Sequence, residues 1–182
     1  AKIPSVLKAY VSAANQDIAQ SRFELARQKF QNALALDPNH IPALAGLARL
    51  EVLPQVLSKI ASAETNVLQY NDTQDPSYLQ RAIQLYQSAI AVDPLASSAQ
   101  SKLESIELQL VEHRFNVAMS GAINALLDGK YLSAQTQFSA ALEEHPDHEL
   151  AQQGLEQALA LNKGNSLSGM FEQARDSQTR EN

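Results

Sequence analysis

The chain has 182 residues, 5% aromatic content and a formal net charge of −6. Its 14 lysines and arginines are scattered along the sequence, which argues against a phosphate-binding surface and hence against nucleic acid as a partner. There is no cysteine, which removes disulfides, thiol catalysis and thiolate metal sites, and no apolar run reaches the length of about 18 residues that a membrane span needs.

In chain order, hydrophobic spacing and turn residues predict helices over 2–19, 22–36, 40–53, 54–70, 77–92, 95–128, 131–144 and 147–162. The first is an amphipathic segment carrying Tyr10. The second holds Ala26, Phe30 and Ala33, which share one helical face at i, i+4 and i+7, and it stops at Asp37-Pro38. Residues 41–70 carry Pro54, which either kinks one long helix or starts a new one. Tyr70 closes that stretch, and the polar run from Asn71 to Pro76 reads as a longer loop. The fifth helix repeats the stripe as Ala82, Tyr86 and Ala89 and ends at Asp93-Pro94.

Residues 95–128 contain no proline and one glycine, Gly121, so they read as one helix of about 50 Å. The seventh helix gives the stripe a third time, as Ala134, Phe138 and Ala141 before His145-Pro146. From Lys163 the chain turns polar, and 163–182 reads as a tail that is either disordered or one short helix around Met170–Arg175. Sustained strand alternation is missing throughout, so the expected class is all-α.

The repeats agree beyond the stripe. Phe23, Leu79 and Tyr131 each stand three residues before the first alanine; Ala43, Ala99 and Ala151 follow each proline by five; Leu47, Leu103 and Leu155 follow it by nine. Glycine follows it by eight in two cases, Gly46 and Gly154. This pattern resembles the tetratricopeptide repeat family, most fully in Gly129, Tyr131, Ala134, Phe138, Ala141 and Pro146, with Ser21 and then Ser77 and Leu79 at the leading positions of the earlier units. The spacing departs from the family. Ala26, Ala82 and Ala134 stand 56 and then 52 residues apart, where the family period is about 34. The extra length implies long helices between motifs.

The resemblance implies a helical repeat solenoid or elongated bundle of seven to eight helices over 1–162, with units centred on 21–38, 77–94 and 129–146. It also implies a non-catalytic scaffold that binds a peptide or protein partner in a groove. Two alternatives stand beside it: a self-assembling homo-oligomeric subunit, and the docking or sensory part of a larger membrane-anchored protein. The chain begins at Ala1 rather than Met, so an upstream segment is expected, and localisation stays open between cytoplasm and periplasm. Some members of the family grip a C-terminal carboxylate with lysines, asparagines and an arginine. Here Lys8, Asn15 and Asn116 form no convergent set, so that clamp is not carried over.

Candidate chemistry is sparse. His145 and His148 lie among Glu143, Glu144, Asp147 and Glu149, donors that suit Zn²⁺. The same turn position holds Asp37 and Asp93 elsewhere, so His145 reads as a turn residue. His40 reads likewise, and His113 as an ordinary helix residue. Nucleophile elbows, phosphate loops and zinc-protease motifs are missing. No catalytic residue, cofactor or metal is expected. Tyr10 and Tyr70 are the candidate partner-binding residues, on helices that could line a concave face and stack against a peptide, with structural packing as the alternative reading of both.

Overall fold

The computed structural model describes residues 3–180, with side chains up to Phe171. Residues 1–2 and 181–182, which hold the start of the first expected helix and the end of the expected tail, lie outside the described residues. The described chain is all-α, with seven helices: α1 Ile3–Ala19, α2 Phe23–Leu36, α3 Ile41–Thr73, α4 Pro76–Val92, α5 Ser97–Leu127, α6 Tyr131–Glu144 and α7 Glu149–Arg180. It packs as two compact lobes that divide between Ile106 and Glu107, inside α5.

Three corners share one construction. The last N–H of each motif helix, on Asp37, Asp93 and His145, donates to Ala33, Ala89 and Ala141 at 3.0, 2.9 and 3.0 Å. Each of these three residues precedes a proline and is held out of the α region, with φ of −145°, −131° and −132°. Their carbonyls then accept from the N–H of His40, Ala96 and His148, which opens the next helix.

The opposite corners reverse the chain through a left-handed residue. Ser21 (φ 58°) and Gly129 (φ 72°) occupy equivalent places. Arg22 and Lys130 donate back to the carbonyls of Asp17 and Ala125, both at 2.8 Å, a Schellman-type ending. In the middle motif this residue is Gln74 (φ 58°), three positions earlier than Ser77. The expected loop over 71–76 is accordingly short: α3 continues through Thr73, whose Oγ1 donates to the Gln69 carbonyl at 2.7 Å. Asp75 then caps α4 by accepting from the Ser77 N–H at 2.9 Å, with Pro76 at the first helical position.

Two further expectations are resolved the same way. Pro54 neither starts nor ends a helix, because α3 runs through it for 33 residues. It is exposed, between buried Leu53 and Val56 in the sequence. The segment after Lys163 does not leave the helix; α7 carries on to Arg180.

In the first lobe, α1 packs on α2 and α3, and α3 on α2 and α4. The stripes lie inside. Phe30 is buried with Ala26 and Ala33 in a cluster that takes in Leu7, Ala14, Leu50 and Leu53. In the second lobe Phe138, Ala134 and Ala141 are buried with Phe115, Ala118, Ala122 and Ala158. Gly46 and Gly154 do the same job in each. A β-carbon there would stand 2.2 Å and 2.3 Å from the rings of Phe30 and Phe138, so glycine is what lets the two helices close face to face on the aromatic.

Candidate functional site

A concavity of the first lobe runs over the face of α1 and the start of α3. One part encloses about 630 Å³ and is lined by Lys8, Val11, Ser12, Asn15 and His40 among others. The adjoining part, about 520 Å³, shares Val11, Asn15 and Pro42 with it and continues past Ala45 and Arg49 to Leu95. Ser12 and Asn15 are exposed because they lie on the side of α1 away from Leu7 and Ala14, which face the core. The floor is apolar, from valine, alanine and proline, and the rim carries the Lys8 ammonium and the Asn15 amide. Such a channel suits an extended chain, whose side chains fill the floor while its polar groups meet the rim.

Two ion networks centred on buried carboxylates brace the helices of this lobe. Asp17, fully buried at the end of α1, receives Arg22 at 2.5 Å and also Lys29 from α2. The hydrogen bond from Lys29 holds the Asp17 carboxyl below its ordinary range, against burial, which pushes it up; the Arg22 charge adds to the lowering. Arg49 of α3 reaches the buried Asp93 carboxylate through Nε at 2.8 Å and the Leu95 carbonyl through a terminal nitrogen at 3.2 Å. The other Asp93 oxygen accepts from the Leu95 N–H at 3.1 Å. α3 is thereby tied to the corner that follows α4.

The middle motif has a feature the other two lack. Lys102 occupies the position of Gly46 and Gly154, eight residues after the proline. A lysine cannot close onto Tyr86 as glycine closes onto phenylalanine. An apolar hollow of about 430 Å³ is left, lined by Val67, Leu68, Tyr86 and Ile106, with Lys102 paired to Glu64 at its edge. Burial raises the Tyr86 hydroxyl above its ordinary pKa.

No family model matches the chain, and no curated protein or solved structure does. Function is therefore read from geometry.

The tyrosines marked in the sequence do not meet in the groove. Tyr70 is only 6% exposed, so its ring belongs to the packed interior of the first lobe. Tyr10 is half-buried, packs against the cluster around Phe30, and borders a separate shallow hollow with Lys29. Both sit on the faces of α1 and α3 that the next motif helix covers. The groove proper is carried by Lys8, Ser12 and Asn15, residues of which the sequence singled out Lys8 and Asn15 without a register to connect them.

His145 and His148 flank Phe115, with ring centroids 4.7 Å away in both cases. His145 Nε2 lies 3.0 Å from Glu112, and His148 Nδ1 accepts from the Ala151 N–H at 3.3 Å. Among the described residues no group of three or more histidines or carboxylates is placed to hold a metal. His40 lies 3.8 Å from Asp37, its own corner's carboxylate. No described helix is long and apolar enough to cross a membrane.

Proposed function

We propose that the chain is a tetratricopeptide-type interaction module, a helical repeat solenoid that binds a peptide or protein segment and carries out no chemistry itself. The observation that supports this reading is the channel on α1 and α3, joined end to end through Val11, Asn15 and Pro42. It lies on α1 and on the first half of α3, the stretch of α3 that packs back on α2. The stripes and corners recur three times in register, and the glycine contacts twice, as repeat units require. The Arg49–Asp93 pair fixes one wall of the channel before a ligand arrives, so less conformational ordering opposes binding there.

A peptide-display selection on the intact chain tests the reading. Selected peptides should lose binding to Ser12→Trp and Asn15→Trp, which fill the channel from exposed positions and leave the core alone. Binding that survives both substitutions would sink the proposal.

A further inference from the structure

Two exchanges fall together in the middle motif. Tyr86 stands where Phe30 and Phe138 stand in the outer motifs, and Lys102 stands where Gly46 and Gly154 stand. The outer pairs show why these two positions belong together. A β-carbon on Gly46 or Gly154 would meet the phenylalanine ring at its far end, with Cζ the nearest atom at 2.2 and 2.3 Å. Each ring therefore points its tip at the facing helix. In Tyr86 that same tip carbon bears a hydroxyl, and the facing residue in register is a lysine. The close contact of the outer motifs is lost there, and the hollow of about 430 Å³ opens between Tyr86 and Lys102, with Val67, Leu68 and Ile106 as its apolar wall. All of its lining residues belong to the first lobe.

The hydroxyl is a second, independent observation. Tyr86 is 1% exposed and lines the hollow, yet among the described residues its hydroxyl has no hydrogen-bond partner. Buried polar groups are nearly always paired, because an unmade hydrogen bond there costs the full desolvation of the group. Burial holds the hydroxyl above its ordinary pKa, so it stays a neutral O–H and a donor. What it lacks is an acceptor. At the edge of the hollow Lys102 and Glu64 are paired with each other, and the exposed Ser105 completes the rim. That edge carries one charge of each sign and gives no net attraction to an ion.

We propose that this hollow binds a small, uncharged, largely apolar molecule that carries one hydrogen-bond acceptor, such as a ketone carbonyl, and that this acceptor receives the Tyr86 hydroxyl. The class follows from the lining. Val67, Leu68 and Ile106 take an apolar body, the unpaired donor selects an acceptor, and the balanced Lys102–Glu64 edge disfavours a charged ligand. The volume falls within the range of about 300–1,000 Å³ typical of small-molecule sites, which are mostly apolar with a few placed polar groups. The site shares no residue with the α1/α3 channel and does not rest on the proposal made for it.

The test compares three naphthalenes of like size by equilibrium dialysis against the full chain: methyl naphthyl ketone, which carries an acceptor, ethylnaphthalene, which carries none, and naphthoate, which carries a charge. Saturable binding of the ketone is expected, about three- to tenfold tighter than that of ethylnaphthalene, the worth of one net hydrogen bond. Naphthoate should bind more weakly than the ketone. Tyr86→Phe keeps the ring and restores the residue of the outer motifs, so it should erase the difference between ketone and ethylnaphthalene while both still bind. Leu68→Trp, at a 62% exposed position on the wall, should weaken both roughly tenfold or more by filling the hollow, with an unchanged thermal melt to verify the fold. The proposal is overturned by no saturable binding of the ketone, by a ketone preference that persists in Tyr86→Phe, or by binding indifferent to Leu68→Trp. Tighter binding of naphthoate than of the ketone would also overturn it, because the Lys102 charge would then be what the ligand meets.

Discussion

Replacing Gly46 by alanine separates two effects that usually travel together. In an open helix the change stabilises, because alanine exceeds glycine in helix propensity by about 0.8–1 kcal/mol. At Gly46 the new methyl carbon would stand 2.2, 2.4 and 2.6 Å from three carbons of the Phe30 ring, where carbon atoms rest at about 3.5–4 Å. The ring cannot swing aside, since Phe30 is completely buried between Ala26 and Ala33. α3 would have to lift off α2 by more than about 1 Å to restore ordinary contact distance. Overpacking costs about 1–3 kcal/mol in well-packed cores, and an overlap across three ring atoms belongs at the upper end. The net loss is then about 2 kcal/mol, or a Tm fall of roughly 4–8 °C for a chain of this size. Gly164→Ala is the matched control. It lies in α7 with nothing within 4 Å of the added carbon, so it should gain about 0.8–1 kcal/mol. Thermal and urea melts followed by circular dichroism read both. A Gly46→Ala protein that melts at or above wild type would refute the close-approach account of the stripe.

Ser21→Gly should raise stability by about 0.5–1 kcal/mol in the same melts, because a non-glycine residue is held there in the left-handed region; Gly129→Ala, at φ 72°, should lower it. Pro54→Ala should stabilise by up to about 3 kcal/mol, since it restores an N–H to the middle of α3 at an exposed position; a lower Tm would mean that α3 depends on the proline for its course. For Asp17 the folded pKa is lowered, so its contribution is complete above the ordinary value of 3.8 and is lost as pH falls through the lowered value. Asp17→Asn should therefore melt well below wild type at neutral pH, and the gap should narrow in acid below pH 3.8. A gap that is constant with pH would show that the carboxylate charge is not what matters.

The motif helices were legible because their three stripes repeat with the same residue types, and aspartate or histidine before proline can only be a corner. Helix continuity was harder to see. A proline in mid-segment and a run such as Asn71-Asp72-Thr73 argue locally for breaks, yet a tertiary face overrides them: Leu53, Val56, Ala63 and Tyr70 are all held in the interior of the first lobe. The buried faces of the long helices vary in residue type, with Leu7 and Ala14 on α1, Ala63 and Tyr70 on α3 and Phe115 and Ala122 on α5, and what is constant is that these stand 19 and 12 residues before Ala26, Ala82 and Ala134. Tyr70 is buried and Tyr10 half-buried on those faces, in keeping with the packing reading that stood beside partner binding. The Asp17–Arg22–Lys29 network spans a corner, and its closeness depends on the angle between α1 and α2, which local pattern does not encode. The exchange of Gly46 and Gly154 for Lys102 stands in the proline alignment itself, eight residues on, where only two of the three units carry glycine.

The unequal steps of 56 and 52 residues also fix what length changes the long helices accept. α3 is read by two neighbours, α2 near its start and α4 near its end, so the angle between its two buried faces must be conserved. The steps differ by four residues, which is one turn plus about 40° at 3.6 residues per turn. A change of one or two residues would swing the later stripe by about 100° or 200° and strand it in water. Length in these helices is thus counted in turns rather than residues, as threads on a screw.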